Sequence, residues 1–133
     1  MKAIVATSDY AEGESLSERL FGLFEDLHVD QVPSLKDALA ALRRAGNHPD
    51  LVVIDTEGMA GVRARRALRS LRDRLEVHQV PLVAICSGPP EGCPAHDLFT
   101  QIVRKPVGER KFEEIAKNYL RRHLRREAPA PAH

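Results

Sequence analysis

Four short apolar runs in this 133-residue chain end in side chains that can do chemistry. Ala3 to Ala6 runs into Thr7, Ser8 and Asp9, Leu51 to Ile54 into Asp55, Thr56 and Glu57, and Leu82 to Ile85 into Cys86 and Ser87. The shorter Ile102-Val103 leads into Arg104 and Lys105, followed by Pro106. In an open α/β sheet such strand ends gather at one edge, so a carboxylate, several hydroxyls and a lysine converge on one small site. The least chemistry open to them is a partly buried Asp55–Lys105 ion pair that fixes two strand ends. On that plain reading Thr7 and Ser8 cap the following turn, and Cys86 is a small buried hydrophobe.

Other chemistries find no support. The six histidines, at 28, 48, 78, 96, 123 and 133, have no metal-ligand spacing, so no metal site is expected. Neither a dinucleotide-binding glycine fingerprint nor a P-loop is present. Cys86 and Cys93 are the only cysteines, too few for a disulfide scaffold, and without a Cys-x-x-Cys spacing a redox pair is the lesser reading. No apolar run approaches the ~20 residues of a membrane span, and the N-terminus meets Asp9 where a signal-peptide cleavage site would lie. A cytoplasmic protein is expected.

The elements that must position the site alternate. Continuous apolar runs of strand length suit a parallel sheet covered on both faces, with Val29 to Val32 and Ile102-Val103 as a second and a fifth strand. Between them lie helical patterns. Ser15 or Ser17 can cap a helix carrying Leu16, Leu20, Phe21, Phe24 and Leu27. Ser34 caps the next, with Leu35, Ala38, Leu39 and Leu42 inward and Gly46 as the stop. Gly61 precedes a third with Val62, Leu68, Leu71 and Leu75, and a last helix from near Gly108 carries Phe112, Ile115, Ala116, Tyr119 and Leu120. Pro89, Pro90, Gly92 and Pro94 break the alternation, so residues 88–94 are expected to be irregular, with at most a turn of helix at His96–Phe99. One domain over 1–126 and a disordered tail over 127–133 are expected.

Charge is unevenly spread. The formal net charge is +1, but residues 1–50 hold nine acids and five bases, whereas 51–133 hold ten acids and fifteen bases. Arg65, Arg66, Arg69 and Arg72 recur at helical steps in the third helix. Like charges at that spacing repel by a few tenths of a kcal/mol per pair, so the stripe is a candidate surface for an acidic protein partner. Nucleic acid is not the expected partner, because no aromatic platform accompanies the bases.

Over Met1 to about Leu124 the chain resembles the receiver domain of bacterial two-component response regulators. Pro49-Asp50-Leu51-Val52-Val53-Ile54-Asp55 is similar to the strand that ends in the phospho-accepting aspartate. Pro81-Leu82-Val83-Ala84-Ile85-Cys86-Ser87 is similar to the strand that ends in the switch hydroxyl, and Val103-Arg104-Lys105-Pro106 to the Lys-Pro element. The resemblance implies a doubly wound five-stranded parallel sheet of order 2-1-3-4-5, with Asp55 as the phospho-acceptor candidate, Lys105 as its counter-charge and Cys86 at the switch position.

Departures from the family pattern point to a degenerate receiver, or pseudo-receiver. The two acids that hold Mg²⁺ in the family are replaced by Thr7 and Ser8, with Asp9 one place late. Cys86 replaces Ser or Thr, Ile102 stands where an aromatic is usual, and the prolines displace the fourth of five helices. Mg²⁺ is usually held by one or two carboxylates with phosphate and water, so Asp55 with two hydroxyls is a poor cage that Asp9 or Glu57 could only partly complete. Mg²⁺ binding is therefore expected to be weak at most, and no other cofactor is expected. The expected function is that of a stand-alone, non-enzymatic signalling module, monomeric or weakly dimeric. It would act by binding a histidine kinase, phosphotransfer or effector protein, with little or no phosphorylation at Asp55. The alternatives are a working phosphorelay receiver, an inert protein–protein scaffold, and a small-molecule-binding flavodoxin-like domain.

Overall fold

The computed structural model describes residues 1–44, 48–57, 59, 61–93 and 95–127, except for the side chains of Pro90, Glu109 and residues 123–127. Five strands, β1 (Lys2–Ala6), β2 (His28–Val32), β3 (Leu51–Asp55), β4 (Leu82–Cys86) and β5 (Gln101–Arg104), form one parallel sheet in the order β2-β1-β3-β4-β5. Four α-helices accompany it among the described residues: α1 (Tyr10–Phe21), α2 (Leu35–Arg44), α3 (Val62–Glu76) and α4 (Glu109–Glu127). The expected doubly wound order is therefore the observed one. β3 and β4 are buried along their whole length, as their unbroken apolar runs require.

Side-chain alternation divides the core in two. Ala3, Val5, Val53, Val83 and Ile85 face α1 and α4, meeting Leu16, Leu20, Phe112 and Leu120. Ile4, Val52, Ile54, Ala84 and Cys86 face α2 and α3, meeting Ala38, Leu68 and Leu71. Register places Ala6 beside Ile54, Asp55 beside Ile85 and Cys86 beside Arg104, so the chemistry-bearing residues do share one edge of the sheet.

Three local expectations are corrected. α1 is capped by Asp9, not by Ser15 or Ser17: Asp9 is extended, and its carboxylate accepts the Glu12 N–H at 3.1 Å. The earlier start turns Phe21 to solvent, and Phe24 and Leu27 reach the core from the turn after the helix. Val62 also points outward, since the first side chain that α3 buries is Leu68, well over a turn later. α1 lies close to the strand ends because Gly13 has no side chain; a Cβ there would sit 2.7 Å from Thr7 Cγ2. The expected stop at Gly46 lies outside the described residues, as does the tail from 128; α4 runs one residue past the expected boundary, through Glu127.

The proline-rich segment forms no α-helix. It carries the expected turn at His96–Leu98 and a second single 3₁₀ turn at Pro90–Gly92, while Pro94 lies outside the described residues. Cys93, Leu98 and Phe99 enter the α2–α3 core in place of a helix face. Two arginines hold the segment down. Arg65 forms a bidentate pair with Asp97 at 3.2 and 3.0 Å, and Arg72 donates to the Leu98 carbonyl at 2.6 Å. Arg72→Ala should cost about 2 kcal/mol, the range for a charge-assisted bond to a half-buried group, and Arg65→Ala less, because its pair is exposed. Urea unfolding of the two variants checks this ranking; equal losses would contradict it.

Candidate functional site

Asp55 is the last residue of β3, and its carboxylate is almost fully hydrogen-bonded by its neighbours. Oδ1 accepts the Glu57 backbone N–H at 2.9 Å. Oδ2 accepts the Thr7 hydroxyl at 3.3 Å and the Lys105 ammonium at 2.9 Å. Thr7, just past β1, is aimed by its own turn, since its hydroxyl also accepts the Asp9 N–H at 3.1 Å. Lys105 follows β5; its backbone N–H donates to the Cys86 carbonyl at 2.8 Å, and its bond to Pro106 is cis.

Lys105 Nζ also bonds Glu57 at 2.9 Å and Glu12 at 3.2 Å. An ammonium has three donors, and here each meets a carboxylate. Side-chain exposure is 5% for Asp55, 20% for Lys105 and 22% for Glu12, but 67% for Glu57, so the first three form the sheltered part of the cluster. An open groove of about 550 Å³ is lined by Glu12 and Lys105 together with Leu16 of α1 and Val107.

Three carboxylates face one ammonium, and the protonation of Glu12 and Asp55 reflects it. Burial, then the neighbouring Asp55, pushes the Glu12 carboxyl up to about 7. Burial alone would raise Asp55 as well, but hydrogen bonds from Glu12, the Glu57 N–H and Lys105 hold it below the usual carboxylate range. Those carboxylates hold Lys105 above its ordinary value in spite of burial. Glu12 is thus the carboxyl of the cluster that takes up a proton first as pH falls through about 7.

A pH dependence follows. A carboxyl raised from 4.5 to about 7 stabilises the fold fully below the lower value and loses that contribution as pH rises through the higher. Glu12→Gln keeps a neutral donor toward Asp55, so it should flatten the stability profile between about pH 5 and 8 and exceed wild type at pH 8 by about 1 kcal/mol after solvent screening. Guanidine unfolding across that range checks it; superimposable profiles would refute it.

Glu12 is the residue that sequence reading missed. Asp9 and Glu12 have the spacing of a helix-capping pair, and recognising Asp9 as the cap would have put Glu12 in the first turn over the strand ends. Of the other expected acid-pocket residues, Thr7 and Glu57 do enter the cluster. Ser8 is exposed, and Asp9 is turned away to cap α1, so it does not complete the pocket. The residues present do not fit Mg²⁺: the ammonium lies where all three carboxylates converge, and the described residues hold no group of three metal-ligating side chains able to bind an ion.

Cys86 is buried on the α2–α3 side, whereas strand alternation puts Asp55 on the side of Val53 and α1. The Cys86 thiol neighbours Cys93, whose Sγ donates to Thr56 Oγ1 at 3.7 Å. Burial pushes the Cys93 thiol up to about 11, which suits a packing role. The arginine stripe is split: Arg65 and Arg72 are engaged with the proline-rich segment, whereas Arg66 and Arg69 are exposed.

No family model matches the chain, and neither does any curated protein. Solved structures do. A response regulator receiver domain from Methylobacillus flagellatus is 23% identical with a TM-score of 0.71, over 90% of this chain and 98% of that one. The signal receiver domain of a DNA-binding response regulator from Colwellia psychrerythraea is 16% identical with a TM-score of 0.74, over 91% and 98%. An atypical orphan response regulator, described as revealing a phosphorylation-independent regulatory mechanism, is 13% identical with a TM-score of 0.68, over 91% and 96%. The sheet order, the strand-end carboxylate and lysine, and these superpositions agree that the chain has the receiver fold of response regulators.

Proposed function

We propose that the chain is a receiver-like signalling module of a two-component or phosphorelay system, cytoplasmic and non-enzymatic, that acts by binding another protein with weak or no phosphorylation at Asp55. The observation that carries this reading is the closure of the cluster. Both Asp55 oxygens and all three Lys105 donors are already satisfied within the chain. A phosphoryl group on Asp55 would add about two negative charges beside Glu12 and Glu57, with one lysine to offset them. A kinase, phosphotransfer protein or effector is the class of partner that the fold suggests. Among the described residues no helix is long and apolar enough to cross a membrane. The similarity to an atypical orphan regulator with phosphorylation-independent control fits the same reading.

One observation favours a second reading, a working phospho-acceptor: Lys105 does lie 2.9 Å from the Asp55 carboxylate, where it could neutralise a phosphoryl oxygen. Incubation with a small acyl-phosphate donor, with and without Mg²⁺, followed by intact mass, decides between them. Unmodified protein in both arms is expected. Mg²⁺-dependent, stoichiometric phosphorylation that disappears in Asp55→Asn would establish the second reading instead.

A further inference from the structure

Four large apolar side chains stand exposed among the described residues: Tyr10 at 74%, Phe21 at 65%, Val62 at 68% and Val77 at 76%. They belong to two helices on opposite faces of the sheet, the first two to α1 and the others to α3 and its cap. On α1, Tyr10, Glu14, Glu18 and Phe21 lie within about 80° of one another at 3.6 residues per turn, centred about 120° around the helix from the buried Gly13, Leu16 and Leu20. On α3, Val62, Arg66, Arg69 and Asp73 lie within about 60°, opposite Leu68, Leu71 and Leu75. Glu14, Glu18, Arg66, Arg69 and Asp73 are exposed, and none has an ion-pair partner among the described residues. Each ridge spans the same number of residues, about 16 Å of helix. One has two acids at its centre and the other two bases.

We propose that the α1 ridge of one copy docks antiparallel on the α3 ridge of a second copy. In that register Phe21 covers Val62, Glu18 meets Arg66, Glu14 meets Arg69, and the Tyr10 hydroxyl reaches the Asp73 carboxylate. The parallel register would set the Phe21 ring against the Asp73 carboxylate, leaving that acid without a partner. A second copy is the occupant the residues specify, because both halves of the complementary pair belong to the same chain. The two ridges are different surfaces, so the contact is head-to-tail, and each added copy presents a fresh ridge. One helix pair buries less than the ~1,000 Å² of a stable interface, so the association is weak, and salt screens it. It is independent of the chemistry at Asp55.

Sedimentation equilibrium of the intact chain tests it, at low and high salt and up to about 0.5 mM, a range suited to a small interface. The average mass should rise above the 14.8 kDa monomer at low salt and return to it at high salt. Glu14→Arg/Glu18→Arg and Arg66→Glu/Arg69→Glu should each weaken association at least tenfold, and an equimolar mixture of the two should restore it. Phe21→Ser and Val62→Ser, tested singly, should weaken it without altering charge, and circular dichroism confirms that each variant is folded. A wild type that stays monomeric throughout, association that survives either charge reversal, or reversed variants that do not rescue each other would each overturn the proposal.

Discussion

Lys105→Met should destabilise the protein by about 3 kcal/mol at pH 7.5, and most of the loss should disappear by about pH 5. Among the described residues the ammonium is the only positive charge bonded to Asp55, whose side chain is 5% exposed, and the partly buried Glu12 depends on it too. Taking it away leaves charged carboxylates sheltered from water and facing one another. The folded-state value of Glu12 then rises further above its unfolded one, and Asp55 loses a bond that helps hold its carboxyl low. Stability in the variant is therefore retained below the ordinary carboxylate range and lost as pH rises, the direction that restores it in acid. Glu57 contributes little, because it is mostly exposed and finds water instead. A second substitution sharpens the test. Asp55→Leu/Lys105→Met removes both buried charges, and replacing a buried pair with apolar groups of similar volume is often neutral, so the double variant should regain about 2 kcal/mol over Lys105→Met alone. Denaturant midpoints at the two pH values measure both effects. A pH-independent loss, or a double variant no better than the single, would mean that the lysine acts by packing and that the carboxylates are not held by its charge.

What was legible in the sequence followed from strand geometry. Parallel strands of four or five residues end at one edge, so residues just past the apolar runs are brought close, and Thr7, Asp55 and Lys105 do meet. Glu12 was hidden by a different uncertainty, the start of α1. Two serines further along are equally good caps by residue type, and choosing them turned the first helical turn, with its glutamate, into loop. The arginine stripe shows another limit. Spacing puts Arg65, Arg66, Arg69 and Arg72 on neighbouring positions of one helix, but which of them faces the adjoining segment depends on where the proline-rich chain returns. Arg65 and Arg72 lie on that flank and bond to Asp97 and Leu98, whereas Arg66 and Arg69 point away from it.

Asp55→Asn and Asp55→Glu should change amide resonances only around Thr7, Glu12, Glu57 and Lys105, leaving β5 from Gln101 to Val103 and the surface of α4 unmoved. A charge change at the acceptor can shift a two-state equilibrium only through differential contacts with the two states. The contacts that would carry such a signal are weak here. Cys86 offers a poor S–H donor. It is also buried on the α2–α3 side and neighbours Cys93, away from the α1 side where Asp55 meets Thr7 and Lys105. Ile102, partly buried against the same core, has no ring to rotate into a space vacated beside it. A complete switch from 1:99 to 99:1 needs ~5.5 kcal/mol of differential stabilisation, and a thiol hydrogen bond with an aliphatic neighbour supplies a small part of that. The same two variants should therefore bind a protein partner within about threefold of wild type, a difference of about 0.6 kcal/mol. Tenfold tighter or weaker binding in either variant, with unfolding midpoints unchanged and resonances moving in concert along β5 and α4, would show that Asp55 still drives the conformation and that the cluster around Lys105 is a poised switch.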